Sequence, residues 1–292
     1  MDNLISGIQK FKLDFLKLPY DLEISTTTIT CHLDVIFNVE NIGLYFNDFD
    51  NIVVGKRYGN RIVNNLVNVK KNKIGKKKKK DKKNFYNQVS IILKSATLMG
   101  LDPNRLPVKE RDKTVNIKLF VNGSIQMTGC KHIDNIKRGL EILFTKLKIK
   151  KAILNDDMQF EEKILVDDLS KLDINLITNF KIVMINTNFN IKFHINREKL
   201  HQLLVMNNFD VSFDPITHAC VNIKYPINNG SDKTVSIFVF ESGSITIAGS
   251  NSCNQVFETY NFINKFILNN YTVLLTKSIS SQLIIELVKG IK

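Results

Sequence analysis

The residues whose type and spacing say most are Phe120 and Phe240. Each sits at the same place in a stretch that occurs twice, DKTVNIKLFVNGSIQMTG at 112–129 and DKTVSIFVFESGSITIAG at 232–249, and ten of the eighteen aligned positions are identical. Side chains alternate between the two faces of a strand. Phe120 therefore shares a face with Asn116, Lys118, Gln126 and Thr128, and Phe240 shares one with Ser236, Phe238, Thr246 and Ala248. A single aromatic on a polar surface is ordinary, but its return at an equivalent position marks a surface that binds something. The charge suggests what. There are 41 Lys and Arg against 28 Asp and Glu, a net charge of +13, with an isoelectric point near 9.4, which favours a polyanion such as nucleic acid. Residues 70–83 hold ten lysines and one aspartate, and so +9 of that charge. This run reads as a solvated insertion, a non-specific phosphate attractant or a nuclear localisation signal. Part of the lysine excess fits a gene of low GC content, since Asn and Ile are abundant too.

Groups for bond-making chemistry lack the required spacing. Cys31, Cys130, Cys220 and Cys253 form no CxxC pair, and His132 beside Cys130 does not complete a zinc motif. They read as reduced, buried thiols of a cytosolic or nuclear protein. No HExxH and no phosphate-binding glycine loop is present, and Asp156, Asp157, Asp167 and Asp168 read as solvated charges of a link. The expectation is a binding protein rather than an enzyme, with no cofactor and no metal. No apolar run approaches a membrane span, and the N-terminus lacks a signal-peptide core.

The elements that position the two phenylalanines are hairpins. Asn122-Gly123 and Ser242-Gly243 supply the turns. The apolar faces are Ile117, Leu119, Val121, Ile125 and Met127 in one copy, and Ile237, Val239, Ile245 and Ile247 in the other. Around the first hairpin the pattern predicts a strand at 24–33, where Thr28, Thr30 and His32 alternate with Ile29, Cys31 and Leu33. A short helix at 39–46, a polar loop over 47–84, a strand at 85–94 and a polar connection at 95–111 follow. After Gly129, Ile133, Ile136, Leu140, Leu143, Phe144 and Leu147 share one helical face. The second copy repeats the order: strand 181–193, helix 197–204, strand 219–225, hairpin, and a long helix at 252–269. An amphipathic helix carrying Leu4, Ile8, Phe11 and Phe15 precedes both copies, and a last helix is expected around 281–289. The organisation read from this is an N-terminal extension (1–23), a first repeat (24–148) with a lysine-rich insertion at 55–84, an acidic link (149–178), a second repeat (179–271) and a tail (272–292). The expected class is α+β, with the two repeats forming one continuous antiparallel sheet, helices on one face and the other open for a ligand.

These residues resemble a known family. LFVNGSIQMTGCK at 119–131 is similar to the IFSSGKMVCTGAK signature of the TATA-box-binding proteins, and VFESGSITIAG at 239–249 to the matching signature of their second half. KFHINREKL at 192–200 resembles KFPIRLEGL, VFETYNFI at 256–263 resembles IYEAFENI, and Phe213-Asp214-Pro215 resembles YEP. The Asn/Ile/Lys-rich, divergent character looks like that of a large DNA virus or an AT-rich protist. The resemblance implies a saddle whose concave sheet face binds the DNA minor groove, and paired phenylalanines that wedge into base steps. That mechanism is the family's own. It implies Phe120 and Phe240 as wedges, with Tyr86 (or Phe85, one register away) and His218 as their pair members. Lys118, Gln126, Thr128, Asn186, Phe238 and Thr246 then face the groove. Against the family pattern, valines are replaced by Gln126 and Thr246, a leucine by Lys118, the lysines after the hairpin glycines by Ser124 and Ser244, and one threonine by Ala248. The asparagine of the second-half strand falls on Met184, two residues from Asn186 on the same face. Its first-half counterpart falls near His32. Asp214 of the loop that meets transcription factor B is kept, with Ile216 and Thr217 beside it.

The implied function is minor-groove binding and bending of promoter DNA in transcription initiation, with general transcription factors and RNA polymerase as partners. The place of action is the nucleus or a cytoplasmic viral factory. The polar substitutions leave an alternative: an architectural or scaffold protein of this fold that recognises no specific DNA element.

Overall fold

The structure is a computed structural model that describes residues 3–64, 85–102, 105–106, 113–227 and 233–275. The lysine run, the first residue of each repeat (Asp112 and Asp232) and the expected helix at 281–289 lie outside the described residues. The chain divides into two compact units. Unit 1 holds the residues up to Leu13 and Thr26–Val183; unit 2 holds Asp14–Ser25 and the residues from Met184 onward.

In chain order the first elements are helix α1 (Leu4–Phe15), strand β1 (Glu23–His32), helix α2 (Val39–Tyr45), β2 (Val53–Tyr58), β3 (Arg61–Asn64), β4 (Gln88–Lys94), the short helix α3 (Ser95–Leu98), β5 (Thr114–Phe120), β6 (Ser124–Cys130) and helix α4 (Asp134–Leu147). Within unit 1 the strands run β1-β6-β5-β4-β2-β3, every neighbouring pair antiparallel. Ile117, Leu119, Ile125 and Met127 are fully buried or nearly so, and they join Ile136, Leu140, Leu143 and Phe144 of α4 and Ile42 of α2 in one core. Burying each such side chain contributes about 1.5–3 kcal/mol. The helix comes close enough that a Cβ on Gly139 would lie 3.2 Å from Met127 Cε.

The sequence misplaces three features here. Residues 47–84 read as a loop, yet β2 and β3 form a hairpin whose inner strand pairs with β4. The strand VVGKRY shows no alternation, because its first four residues are all buried. Lys56 is 5% exposed, and its Nζ donates to the carbonyls of Phe46 (2.6 Å) and Leu44 (3.3 Å) and to Asn47 Oδ1 (3.2 Å), closing the C-terminal end of α2. Val121 does not face the core. It is 44% exposed, because the loop spans three residues, Val121–Gly123, and ends with Gly123 at φ 78°. A Cβ there would collide with the Leu33 carbonyl oxygen. The acidic link carries its own hairpin, β7 (Lys151–Leu154) with β8 (Phe160–Lys163), and Leu165, Val166, Leu172 and Ile177 are buried in the core of unit 1.

Unit 2 continues with β9 (Thr178–Asn190, its residues from Met184 onward), α5 (Arg197–Met206), β10 (Asp210–Ser212), β11 (Cys220–Pro226), β12 (Thr234–Phe240), β13 (Ser244–Ser250), α6 (Cys253–Asn269) and α7 (Tyr271–Leu274). Its strands run β10-β11-β12-β13-β9, all antiparallel. Leu200 and Leu204 of α5 and Ile263 and Ile267 of α6 pack on Val221, Ile237, Val239, Ile245 and Ile247. Ser252 caps α6, its side chain accepting from the Gln255 N–H. Both units are thus α+β, with helices on the apolar side of an antiparallel sheet and the polar side open.

Candidate nucleic-acid interface

Cross-strand partners share a face, so the registers define each open surface. In unit 1 one row runs Arg57, Ser90, Lys118, Gln126, Thr30, and the next Gly55, Ile92, Asn116, Thr128. Phe120 pairs with Gln88, and His32 with Ser124. Phe120 is half-buried and borders a hollow of about 500 Å³ with His32, Ser124, Gln126 and Lys181. Lys118, Gln126 and Thr128 lie on this same face.

In unit 2 the matching row runs Ser212, Asn222, Phe238, Thr246, Asn188. Phe240 pairs with Cys220, as Phe120 pairs with Gln88, and both rings are half-buried. Phe238 and Thr246 are neighbours on this face. Asn186, Asn188 and Asn190 follow one another on β9, with Thr187 and Phe189 buried between them. Thr246 Oγ1 donates to Asn188 Oδ1 (2.9 Å), and the Gly249 N–H donates to Asn186 Oδ1 (3.2 Å). Each carboxamide is held by its oxygen, and its NH2 has no partner among the described residues. Asn190 differs: its Nδ2 donates to Ser244 Oγ (3.0 Å). The sequence reading found Asn186 but missed Asn188 and Asn190, although the period of two in Asn186-Thr187-Asn188-Phe189-Asn190 was there to see.

Two candidates sit elsewhere than the face residues. Tyr86 precedes β4 and turns to the edge of Tyr58, ring centroids 5.6 Å apart. Phe85, its neighbour, borders the open face with Gln88, Ser90 and Lys118. Single-residue alternation could not choose between them, because both lie before the strand begins. His218 is exposed in the loop between β10 and β11. Its N–H donates to the Asp214 carbonyl (2.8 Å), and its own carbonyl accepts from Arg197 (3.2 Å). Asp214 accepts from the Ile216 N–H (2.9 Å) and from Thr217 Oγ1 (2.6 Å), and the Thr217 hydroxyl chiefly holds its carboxyl below the usual range. Cys220, expected in the core, is half-buried on the open face beside Phe240, while Cys31, Cys130 and Cys253 are buried. Burial pushes the thiols of Cys31 and Cys130 up to about 12, so neither is a nucleophile near neutral pH. Among the described residues no cluster of His, Cys, Asp and Glu could hold a metal ion, and no helix is long and apolar enough to cross a membrane.

The geometry is that of a duplicated α+β unit whose sheets each offer a polar open face with a phenylalanine at the same register position. One curated relative agrees with the resemblance read from the hairpins. The chain is 32% identical over 267 residues to a TATA-box-binding protein-like protein of Acanthamoeba polyphaga mimivirus, over 86% of this chain. The chain spans 66% of that curated relative's length. Among solved structures it is similar to Methanococcus jannaschii TBP, with a TM-score of 0.47 and 12% identity over 85% of this chain and 99% of that one. No family model matches. By sequence the chain is thus similar to a TATA-box-binding protein-like protein of a large DNA virus.

Proposed function

We propose that this protein binds duplex DNA in the minor groove through its open sheet faces, bends it, and acts in transcription initiation. The observation that carries the reading is the register equivalence of Phe120 and Phe240, each half-buried on a polar face. Inserting an apolar ring between base steps costs about a few kcal/mol and is offset by the longer contact that bent DNA permits. The asparagines support it. The minor groove shows A N3 and T O2 acceptors at every A·T pair, and the unpartnered NH2 groups of Asn186 and Asn188 are matching donors. The mimivirus relative, which carries the name TATA-box-binding protein-like, supports the same reading. The protein acts by binding rather than by catalysis, with general transcription factors and RNA polymerase as partners, in the nucleus or a cytoplasmic viral factory.

Lys118 and Gln126 in the centre of the unit 1 face favour a second reading, an architectural protein without a specific element. Selection of binding sites from random duplex DNA separates the two. Enrichment of an A·T-rich element supports the first reading, and binding without enrichment supports the second.

A further inference from the structure

The two open faces differ in one row. Unit 1 reads Arg57, Ser90, Lys118, Gln126, Thr30, where unit 2 reads Ser212, Asn222, Phe238, Thr246, Asn188. The first has two cations and the second none. Adjacent strands lie about 4.8 Å apart, so the Cα atoms of Arg57 and Lys118 flank Ser90 at a separation of about 10 Å, within reach of two long side chains closing on one group. Between them lies a hollow of about 380 Å³ bordered also by Phe85, Gln88 and Asn116. Among the described residues no carboxylate lines it, and neither Arg57 nor Lys118 has an ion-pair partner there. Two unpaired cations with a hydroxyl between them, beside an exposed aromatic ring (Phe85, 59% exposed), match a phosphodiester with its sugar. Arg supplies a planar fork to the phosphate oxygens and Lys a point charge.

We infer that the Arg57–Ser90–Lys118 row is a phosphodiester site, held by unit 1 and absent from the equivalent row of unit 2. The inference rests on the proposed DNA binding and divides its labour. Unit 1 grips the backbone without reading sequence. Unit 2, whose row offers amides, a hydroxyl and an aromatic ring, reads base edges.

The test is a salt series of duplex binding by the full chain, followed by fluorescence anisotropy. Each phosphate contact contributes about 0.9 to the slope of log K against log salt. Loss of this one phosphate contact is expected to flatten the slope by about 0.9 in the double variant Arg57→Gln/Lys118→Gln, and by a part of that in each single variant. The ranking of duplex sequences stays as in the wild type, and Lys118→Arg keeps the wild-type slope. Both side chains lie on the open face, so thermal melts are expected to stay at the wild-type midpoint; if the double variant does not fold, the single variants decide. Folded variants with an unchanged slope overturn the site, and so does a changed sequence ranking with an unchanged slope. A wild type that binds no duplex at low salt overturns the proposed function itself, before any variant is made.

Discussion

Phe120 and Phe240 are placed to touch a ligand rather than the core. Their neighbours along the strand, Leu119 and Val239, are fully buried, while the rings lie on the opposite side. Phe120→Ala and Phe240→Ala should each weaken DNA binding by about 1–3 kcal/mol, the range for losing a base-stacking aromatic, and reduce the bend angle seen by fluorescence transfer in an end-labelled duplex. Their melting temperatures should stay near the wild-type value. Mutants that bend DNA normally, or that melt far below the parent, show the rings to be packing residues. Lys56 makes a different prediction. Burial, helped by Arg61, pulls its ammonium down to about 8, below the ordinary 10.5. The unfolded chain therefore binds more protons than the folded one between these values, and stability rises with pH there. This contribution is present above pH 10.5 and is lost as pH falls through about 8. The stability difference between wild type and Lys56→Met, from urea melts at a series of pH values, should grow in favour of wild type across that window. A flat difference means that the three acceptors around Nζ offset the desolvation.

At the scale of elements, the hairpins are fixed by their glycines. Gly123 and Gly243 have φ of 78° and 79°, and a Cβ on them would strike the carbonyl oxygens of Leu33 and Phe193 respectively. Both hairpins therefore lie against the segment that follows the neighbouring strand, and the glycine is required for close approach as well as for the left-handed backbone. Gly123→Ala and Gly243→Ala should each destabilise the protein by about 1–3 kcal/mol, the cost of a strained backbone position, measured by denaturant unfolding. Losses below a few tenths of a kcal/mol in either would mean that the loop relaxes freely. The β2–β3 hairpin shows the converse. The burial of β2 comes from pairing with β4 and from the end of α2, and neither partner lies within the strand's own window to leave a periodic signal.

At the scale of the whole molecule, charge is the dominant variable. Residues 70–83 hold +9 of the net +13. Deleting them should lower duplex affinity at low salt for all sequences alike and flatten the salt slope, while leaving the slope change of Lys118→Gln intact, because that contact is local to the sheet face. Affinity and slope both unchanged by the deletion would reduce the run to a spacer.

The sequence by itself determined the duplication, the hairpins, the long helices and the face on which Phe120, Phe240, Lys118, Gln126, Thr128, Phe238 and Thr246 lie. A period of two or of 3.6 residues is a local property, and a repeat makes it visible twice. Tertiary structure decided what depends on partners from distant segments. It put Phe85 rather than Tyr86 on the open face, because Tyr58 from another strand takes the Tyr86 ring. It buried Lys56, because three acceptors around the end of α2 converge on it. It set Arg57 in line with Lys118 through Ser90, a neighbourhood created by strand register alone. Register is a relation between strands, so no window of a single strand contains it.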